Sequence, residues 1–346
     1  MKVSESSSEQ REGLKRKVSK EDQDTRKSQK TSDSGGAKRK ASDNEDSPRK
    51  ISRVSKLDHG WTGWNRVDST TASTSEETSR QDFHATYEQL ELLGEGGFGS
   101  VFAGIRREDN FPVAIKRIHR DRVTSQGVDE KDRTLPLEVV IMLKMAKGPV
   151  GKSAAIALLD FYDLHQELIL VLERPDPCCD LFEYINYHGG FLLEETASFL
   201  LKQLVEAALD LQSQNIFHRD IKLENILIET GSEVPRVRLI DFGLSCFSET
   251  NASYSLFSGT EHHIPPEWYD RSTYTAGPTT VWQVGIVLYE MLHEDATFKT
   301  NSFLGNELTI DEDLSLSCQD ILRLCLAEEP EQRPSLEQLL RHPWLA

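Results

Sequence analysis

The chain has 346 residues, of which 37% are hydrophobic and 28% are charged, and its formal net charge at pH 7 is −17. This hydrophobic content supports a core in at least part of the chain, so a wholly disordered protein is excluded. No run approaches the ~18 consecutive apolar residues of a membrane span, and residues 1–30 lack the apolar stretch of a signal peptide. The five cysteines include no CxxC pair, which argues against a zinc site or a disulfide framework. We therefore expect a soluble protein of the cytoplasm, the nucleus or both.

The charge is distributed unevenly along the chain. Residues 1–86 contain 18 Lys and Arg against 15 Asp and Glu, whereas residues 87–346 contain 22 against 42, a net charge of −20. A folded body this acidic repels nucleic acid and anionic membranes, and it attracts basic partners. We therefore expect basic proteins or peptides as partners, with no nucleic acid and no membrane, and we take a monomer as the expected state.

Residues 1–86 form the first predicted segment, a polar tail and linker. They are rich in Ser, Thr, Lys, Glu and Asp and contain almost no periodic apolar residues. Burial of apolar surface therefore cannot offset the entropy lost on ordering, and we predict a disordered segment. Its basic clusters fit either nuclear-import signals or solvated charge, and the interspersed acidic residues favour solvated charge.

From Tyr87 onward the pattern is that of a folded domain. Short strands with glycine-rich turns lead to an apolar strand over 111–118, and the spacing predicts a helix over 135–147 and a buried strand over 168–172. After Asp180 the spacing is mostly helical, with helices predicted over 191–213, 280–293, 315–327 and 335–341.

A strand-rich part followed by a helix-rich part predicts an α+β fold with two lobes. We place the small β-rich lobe at residues 87–173 and the larger helical lobe at 178–346. The hinge between them is predicted near residues 173–177.

A glycine-rich run, GEGGFGSV, occupies residues 94–101 between two strand-like segments. Glycines let the backbone approach phosphate oxygens, and here the turn leads into a strand, whereas a dinucleotide-binding fold would open a helix. An ordinary glycine-rich hairpin has the same pattern, so the run alone is weak evidence. The candidate nucleotide-binding residues in it are Gly94, Glu95, Gly96, Gly97, Phe98, Gly99, Ser100 and Val101.

Lys116 lies within an apolar strand, in the sequence VAIK. A lysine buried in mid-strand is costly without a partner, and Glu138 on the following predicted helix is the natural one. Such a pair would hold the α- and β-phosphates of a nucleotide. A lysine on an edge strand pointing into water fits these two features equally well.

The decisive pattern is HRDIKLEN at residues 218–225, followed by DFG at residues 241–243. Its order, spacing and residue types match what phosphoryl transfer needs: a carboxylate to take a hydroxyl proton, a cation near the transferred phosphate, and oxygen ligands for magnesium.

With these motifs, residues 87–346 resemble the protein kinase superfamily, and more closely the Pim family of serine/threonine kinases. The closer resemblance lies in LGEGGFGSVFAG at 93–104, LVLERPDPCCDLF at 170–182 and FHRDIKLENILI at 217–228. The resemblance implies a bilobal protein kinase fold, ATP and Mg²⁺ as cofactors, and transfer of the γ-phosphate of ATP to Ser or Thr of proteins.

The resemblance also implies the roles of individual residues. Asp220 would be the catalytic base and Lys222 would steady the γ-phosphate, while Asn225 and Asp241 would bind magnesium. The adenine would lie between Leu93, Val101, Ala114, Leu172 and Leu227. Leu172 would be the gatekeeper residue.

The implied hinge has an unusual feature. The Glu173 carbonyl would accept a hydrogen bond from the adenine amino group. Pro175 has no N–H, so the second hinge hydrogen bond that most kinases give to adenine is missing if Pro175 occupies that position.

The implied substrate site is acidic. Asp180, Glu183 and Glu224 match positions where basophilic kinases hold arginines N-terminal to the target residue, and we assign Thr260 to the same site. A solvated acidic face on a body of net charge −20 is the alternative explanation of the three carboxylates.

Two departures bear on activity. Most protein kinases have an aspartate at the position of Thr280 that braces the catalytic-loop backbone, although the Pim family also has a small residue there. The segment SYSLFS at 253–258 lacks the acidic residue that Pim kinases place before Gly259, which makes Ser253, Ser255 and Ser258 candidate phosphosites. A pseudokinase that still binds nucleotide is therefore the alternative function.

Overall fold

The computed structural model describes residues 69–97, 99–146, 153–249, 252–294 and 297–346. Most of the predicted tail lies outside these residues, as does Phe98 of the glycine-rich run. Within the described ranges, no helix is long and apolar enough to cross a membrane.

The N-terminal lobe is a five-stranded antiparallel sheet with one helix inserted before its last two strands. Its elements are α1 (Ser69–Thr86), β1 (Tyr87–Gly96), β2 (Gly99–Arg106), β3 (Phe111–His119), β4 (Gln126–Val128), β5 (Thr134–Pro136), α2 (Leu137–Met145), β6 (Leu158–Asp163) and β7 (Glu167–Glu173). The strand order in the sheet is β1-β2-β3-β7-β6, and β4 and β5 form a separate hairpin.

The C-terminal lobe is mainly helical. Its elements are β8 (Cys178–Asp180), α3 (Leu181–Tyr187), α4 (Glu194–Ser213), β9 (Ile216–Phe217), β10 (Ile226–Glu229), β11 (Arg236–Leu239), β12 (Cys246–Phe247), β13 (Ser253–Tyr254), α5 (Pro266–Arg271), β14 (Tyr274–Thr275), α6 (Ala276–Leu292), α7 (Thr300–Leu304), α8 (Leu316–Cys325) and α9 (Leu336–Leu339). Buried faces of α4, α6 and α8 meet in one apolar core.

The long predicted elements agree with the structure at each end to within four residues. Periodic apolar residues identify them because a buried face repeats at the helical or strand period. The short helices α3, α5 and α7 have too few turns to show a period, and the sequence did not predict them.

The structure differs from the predicted linker at its C-terminal end. Residues from Ser69 onward form helix α1, and Phe83 on this helix is buried. The Phe83 ring lies 5.3 Å from the ring of Tyr162 on β6 and 6.0 Å from that of Tyr87. One large apolar residue in a polar segment produces no periodicity, so only the tertiary contact shows that this helix belongs to the folded unit.

A buried ion pair stabilises the C-terminal lobe. Arg333 Nη2 lies 2.7 Å from Glu267 Oε2, and both side chains are buried. The Arg333 guanidinium also lies 4.9 Å from the centre of the Trp282 ring. The Arg333 guanidinium also donates to the carbonyls of Ala327, Pro278 and Glu328, and these contacts offset the cost of burying the pair.

Candidate active site

A cleft of about 390 Å³ lies between the two lobes. Eight of the predicted nucleotide-binding residues line it: Leu93, Gly94, Val101, Ala114, Lys116, Leu172, Glu173 and Leu227. Antiparallel pairing brings the walls together, since Val101 is opposite Lys116 and Ala114 is opposite Leu172. The remaining described members of the glycine-rich run lie at the β1–β2 turn and do not line the cleft; they are Glu95, Gly96, Gly97, Gly99 and Ser100.

The turn at the end of β1 depends on glycine at one position. Gly99 has φ +126°, and a Cβ there would lie 2.1 Å from the Arg117 carbonyl oxygen. No other residue can occupy that place without moving β3. Arg122 fixes the turn from outside, because its Nη1 donates to the carbonyls of Gly96 and Gly97 at 3.0 Å each.

Lys116 is the centre of a buried charge cluster. Its Nζ donates to Glu138 Oε1 at 2.7 Å and to Asp241 Oδ1 at 2.8 Å. The edge-strand alternative for Lys116 is therefore wrong, since β3 is the middle strand of the sheet and the side chain is buried. Burial alone would lower the pKa of Lys116, but Glu138 and Asp241 outweigh it and raise that pKa above its ordinary value.

The contact with Lys116 also favours the ionised form of the Asp241 carboxylate. Burial alone would raise its pKa, but the Lys116 ammonium and the Gly243 N–H hold the pKa below its ordinary value. Both interactions use Oδ1. Oδ2 makes no hydrogen bond within the described part of the chain and is available to a cation.

The predicted catalytic loop, residues 218–225, and Thr260 together hold the carboxylate of Asp220 from several sides. Thr260 donates to Asp220 Oδ1 through its backbone N–H at 2.9 Å and through its hydroxyl at 2.7 Å. Asn225 Nδ2 donates to Asp220 Oδ2 at 3.1 Å and to the Asp220 carbonyl at 2.8 Å. Lys222 Nζ lies 3.5 Å from Asp220 Oδ2 and donates to the Thr260 hydroxyl at 3.1 Å.

Thr260, which we grouped with the predicted substrate-binding carboxylates, lies next to Asp220. Gly259 has φ +144°, and a Cβ there would meet the Arg219 carbonyl at 2.7 Å. This close approach of two backbone segments carries Thr260 onto Asp220. The structure thus joins Thr260 to the catalytic loop.

The hinge is anchored through the side chain of Glu173. Arg238 on β11 is fully buried, and its Nη2 donates to Glu173 Oε2 at 2.6 Å. The same guanidinium contacts Glu229 and the Ala155 carbonyl. Because these bonds occupy the Glu173 carboxylate and its N–H donates to the Ala157 carbonyl at 2.9 Å, the backbone carbonyl is the group of Glu173 that remains for a ligand in the cleft.

Asp180, Glu183 and Glu224 all line the cleft. Burial raises the pKa of Asp180, and the charges of Glu183 and Glu224 add to this effect. Among the described residues, none of the three carboxylates makes a salt bridge. Asp180 also has a structural role, since its Oδ1 accepts the Glu183 N–H at 2.7 Å and caps helix α3.

Three apolar residues of the cleft were not predicted from the sequence: Met142, Ile156 and Ile240. Met142 lies four residues after Glu138 on α2, so helical spacing was a usable signal. Ile240 precedes Asp241 directly. Ile156 joins the cleft through tertiary contacts alone.

The comparisons with known proteins agree with this geometry. The profile of the family described as "Protein kinase domain" matches residues 87–345. The chain therefore belongs to the protein kinase family. It has the bilobal fold of that family, and protein kinases in general use ATP and a divalent metal and act on proteins.

Within the family the chain is a Pim-like serine/threonine kinase. It is 37% identical to "Serine/threonine-protein kinase pim-2" of Danio rerio over 77% of this chain and 86% of that protein. It is 34% identical to "Serine/threonine-protein kinase prk-2" of Caenorhabditis elegans over 76% of this chain and 59% of that protein. A "PAS domain-containing serine/threonine-protein kinase" of Mus musculus is 31% identical over 76% of this chain and 19% of its own length. The family predicted from the motifs is confirmed.

Proposed function

We propose that the protein is an active kinase that uses ATP and Mg²⁺ to phosphorylate Ser or Thr in basic, arginine-rich proteins. The observation that carries the proposal is that two groups of charged and polar side chains are connected by hydrogen bonds at the cleft. Lys116 bridges Glu138 and Asp241, and the carboxylate of Asp220 is held by Thr260 and Asn225.

The chemistry assigns a separate task to each group. Lys116, held in place by Glu138, binds the α- and β-phosphates, and Lys222 offsets charge on the transferred phosphate. Asp220 accepts the proton of the substrate hydroxyl as its oxygen bonds to the γ-phosphorus and the bond to the ADP oxygen breaks. Holding these groups in fixed positions supplies orientation and electrostatic stabilisation.

The magnesium site would use Asp241 and Asn225. Asp241 Oδ2 and Asn225 Oδ1 make no hydrogen bond within the described residues, and magnesium binds through one or two protein oxygens together with phosphate oxygens. When bound, the ion neutralises charge on the phosphates.

The adenine site would rely on apolar contact. The residues around it are Leu93, Val101, Ala114, Leu172 and Leu227, and Pro175 has no N–H for a second hinge hydrogen bond. We propose that the Glu173 carbonyl makes the remaining hinge hydrogen bond to adenine.

The preference for basic substrates rests on Asp180, Glu183 and Glu224. Three carboxylates that line the cleft, without a salt bridge in the described part of the protein, form a site for guanidinium groups. The net charge of −20 over residues 87–346 adds long-range attraction.

Phosphate transfer from labelled ATP with Mg²⁺ tests the proposal. The acceptors are an arginine-rich serine peptide, the same peptide with its arginines replaced by alanine, and the arginine-rich peptide with tyrosine in place of serine. We expect transfer to the first peptide above all. Asp220→Asn should lower kcat by roughly 10²–10⁴-fold, because it removes the base, and should leave nucleotide affinity unchanged.

Asp210→Asn on the exposed face of α4 is the matched control and should keep full activity. Equal transfer to the arginine-rich and alanine peptides would contradict the substrate class alone. No transfer to any peptide, with nucleotide binding intact, would favour the pseudokinase.

A further inference from the structure

Gln283 on helix α6 contacts the backbone on both sides of Asp220. Its Nε2 donates to the Arg219 carbonyl at 2.5 Å, and its Oε1 accepts from the Ile221 N–H at 3.4 Å. The Gln283 side chain is buried, with 1% of the residue exposed. Arg219, Asp220 and Ile221 are consecutive, so one side chain spans the residue assigned as the base.

Thr280, where most kinases have the bracing aspartate, makes no such contact. Its hydroxyl donates to the Ala276 carbonyl at 2.8 Å, one turn back on its own helix. Together with His218 and Ile221, Thr280 lines a cavity of about 520 Å³ behind the catalytic loop. Residues three apart share a helix face, so Gln283 lies on the same face of α6 as Thr280 and contacts the loop that Thr280 does not contact.

The backbone at this point needs to be held. Arg219 has φ +73°, in the left-handed region, and a non-glycine residue persists there only when its surroundings enforce it. The direction of the Asp220 side chain depends on this dihedral angle, because Arg219 is the preceding residue. A change at Arg219 would turn the carboxylate away from Thr260 and Asn225.

A side-chain amide suits the two backbone groups. The Arg219 carbonyl needs a donor and the Ile221 N–H needs an acceptor, and glutamine supplies one of each. A flipped amide would mismatch both groups. A carboxylate supplies acceptors only, so it would place an oxygen against the Arg219 carbonyl.

We propose that Gln283 is a positioning residue that clamps the backbone on either side of Asp220 and does the bracing that Thr280 does not. The proposal rests on the proposed function in one respect, namely that Asp220 is the catalytic base. Gln283 touches neither the nucleotide nor the phosphate acceptor, and it acts through the backbone of Arg219 and Ile221.

Steady-state kinetics of Gln283→Glu and Gln283→Met test the proposal. We expect both to lower kcat by about 10- to 100-fold through displacement of the base, with the KM values for ATP and peptide unchanged. The matched control is Thr279→Val, which alters a buried polar residue of the same helix whose hydroxyl has no partner among the described residues. It should keep the kcat of the unaltered chain.

Rates are expressed per nucleotide-binding site, so that a loss of folded protein does not count as a loss of kcat. Unchanged kcat in both Gln283 variants would overturn the proposal, as would an equal loss in Thr279→Val.

Amide hydrogen exchange at Ile221, resolved by NMR, gives a readout that needs no activity. In the unaltered chain this amide should be protected, and Gln283→Met should speed its exchange while the amides of α4 keep theirs. If the Gln283 variants do not fold, the unaltered chain still tests the proposal. Fast exchange of the Ile221 amide would contradict a clamp by Gln283, and slow exchange would support it. If the unaltered chain has no turnover, the proposed function fails, and exchange alone decides whether Gln283 holds the loop.

Discussion

Glu290 is a buried carboxyl group on α6 that the motifs do not reveal. It is 8% exposed, and its Oε1 accepts the Phe298 N–H at 2.9 Å. Burial raises the pKa of Glu290 to about 7, and the charge of Glu224 adds to this while Lys222 opposes it. The folded protein therefore holds a proton on this group at pH values where the unfolded chain has lost it.

This proton makes stability depend on pH in a defined direction. Between pH about 5 and about 7 the folded state binds more protons at this site than the unfolded state, so stability falls as pH rises, at up to about 1.4 kcal/mol per pH unit. Glu290→Gln keeps the acceptor for Phe298 but cannot ionise, so it should become more stable relative to the unaltered chain as pH rises through this window. Urea unfolding at a series of pH values measures the difference, and parallel profiles for the two proteins would contradict the assignment.

At the scale of single elements, α1 extends the N-terminal lobe beyond the expected start of the domain. Phe83 anchors it in a second apolar cluster with Tyr87, Val113 and Ile115. Arg80 on the same helix donates to Glu167, which also holds Arg117 of β3. The helix is thus attached to the sheet by one buried ring and a partly buried charge network.

Removal of the buried ring should destabilise the folded unit. We expect Phe83→Ala to lower the free energy of unfolding by about 3–5 kcal/mol, because it loses apolar burial and leaves a cavity. Tyr187→Ala is the control, since Tyr187 on α3 is 88% exposed and its loss should change little. Urea denaturation measures both; equal small effects would mean that α1 contributes little to the lobe.

At the scale of the whole molecule, the acidic body and the carboxylates at the cleft act over different distances. The net charge of −20 over residues 87–346 attracts a basic peptide from afar. In the proposed function, Asp180 and Glu183 would act on the peptide at contact range. Salt screens the first effect more than the second, since the Debye length is about 10 Å at 0.1 M and about 3 Å at 1 M.

Raising the salt concentration should therefore raise KM for the arginine-rich peptide and leave KM for its alanine counterpart nearly constant. Asp180→Asn with Glu183→Gln should raise KM for the arginine-rich peptide at every salt concentration. Asparagine retains the cap of α3, so this pair removes charge without removing the cap. Glu206→Gln with Asp210→Asn, at two exposed positions of α4, removes the same charge and should have a smaller effect. Equal effects of the two pairs would show that net charge alone selects substrates.

Much of the candidate site follows from short-range pattern. The groups of the catalytic loop and Asp241 lie close in sequence, and phosphoryl transfer needs those residue types in that order. The long elements follow from apolar period. The short helices cannot be predicted in this way because they have too few turns to show a period, and α1 cannot because it has too few apolar residues.

The sequence by itself thus determined the family, the two-lobed fold and the identities of the residues proposed to act on ATP, since local motifs carry that chemistry. Only the tertiary structure decided the contacts that orient them. Lys116 and Asp241 meet across 125 positions of sequence, Gln283 reaches Arg219 across 64, and Thr260 reaches Asp220 across 40. Such contacts depend on how segments that are far apart in sequence pack together. Residue spacing along the chain does not measure the distance between them in space.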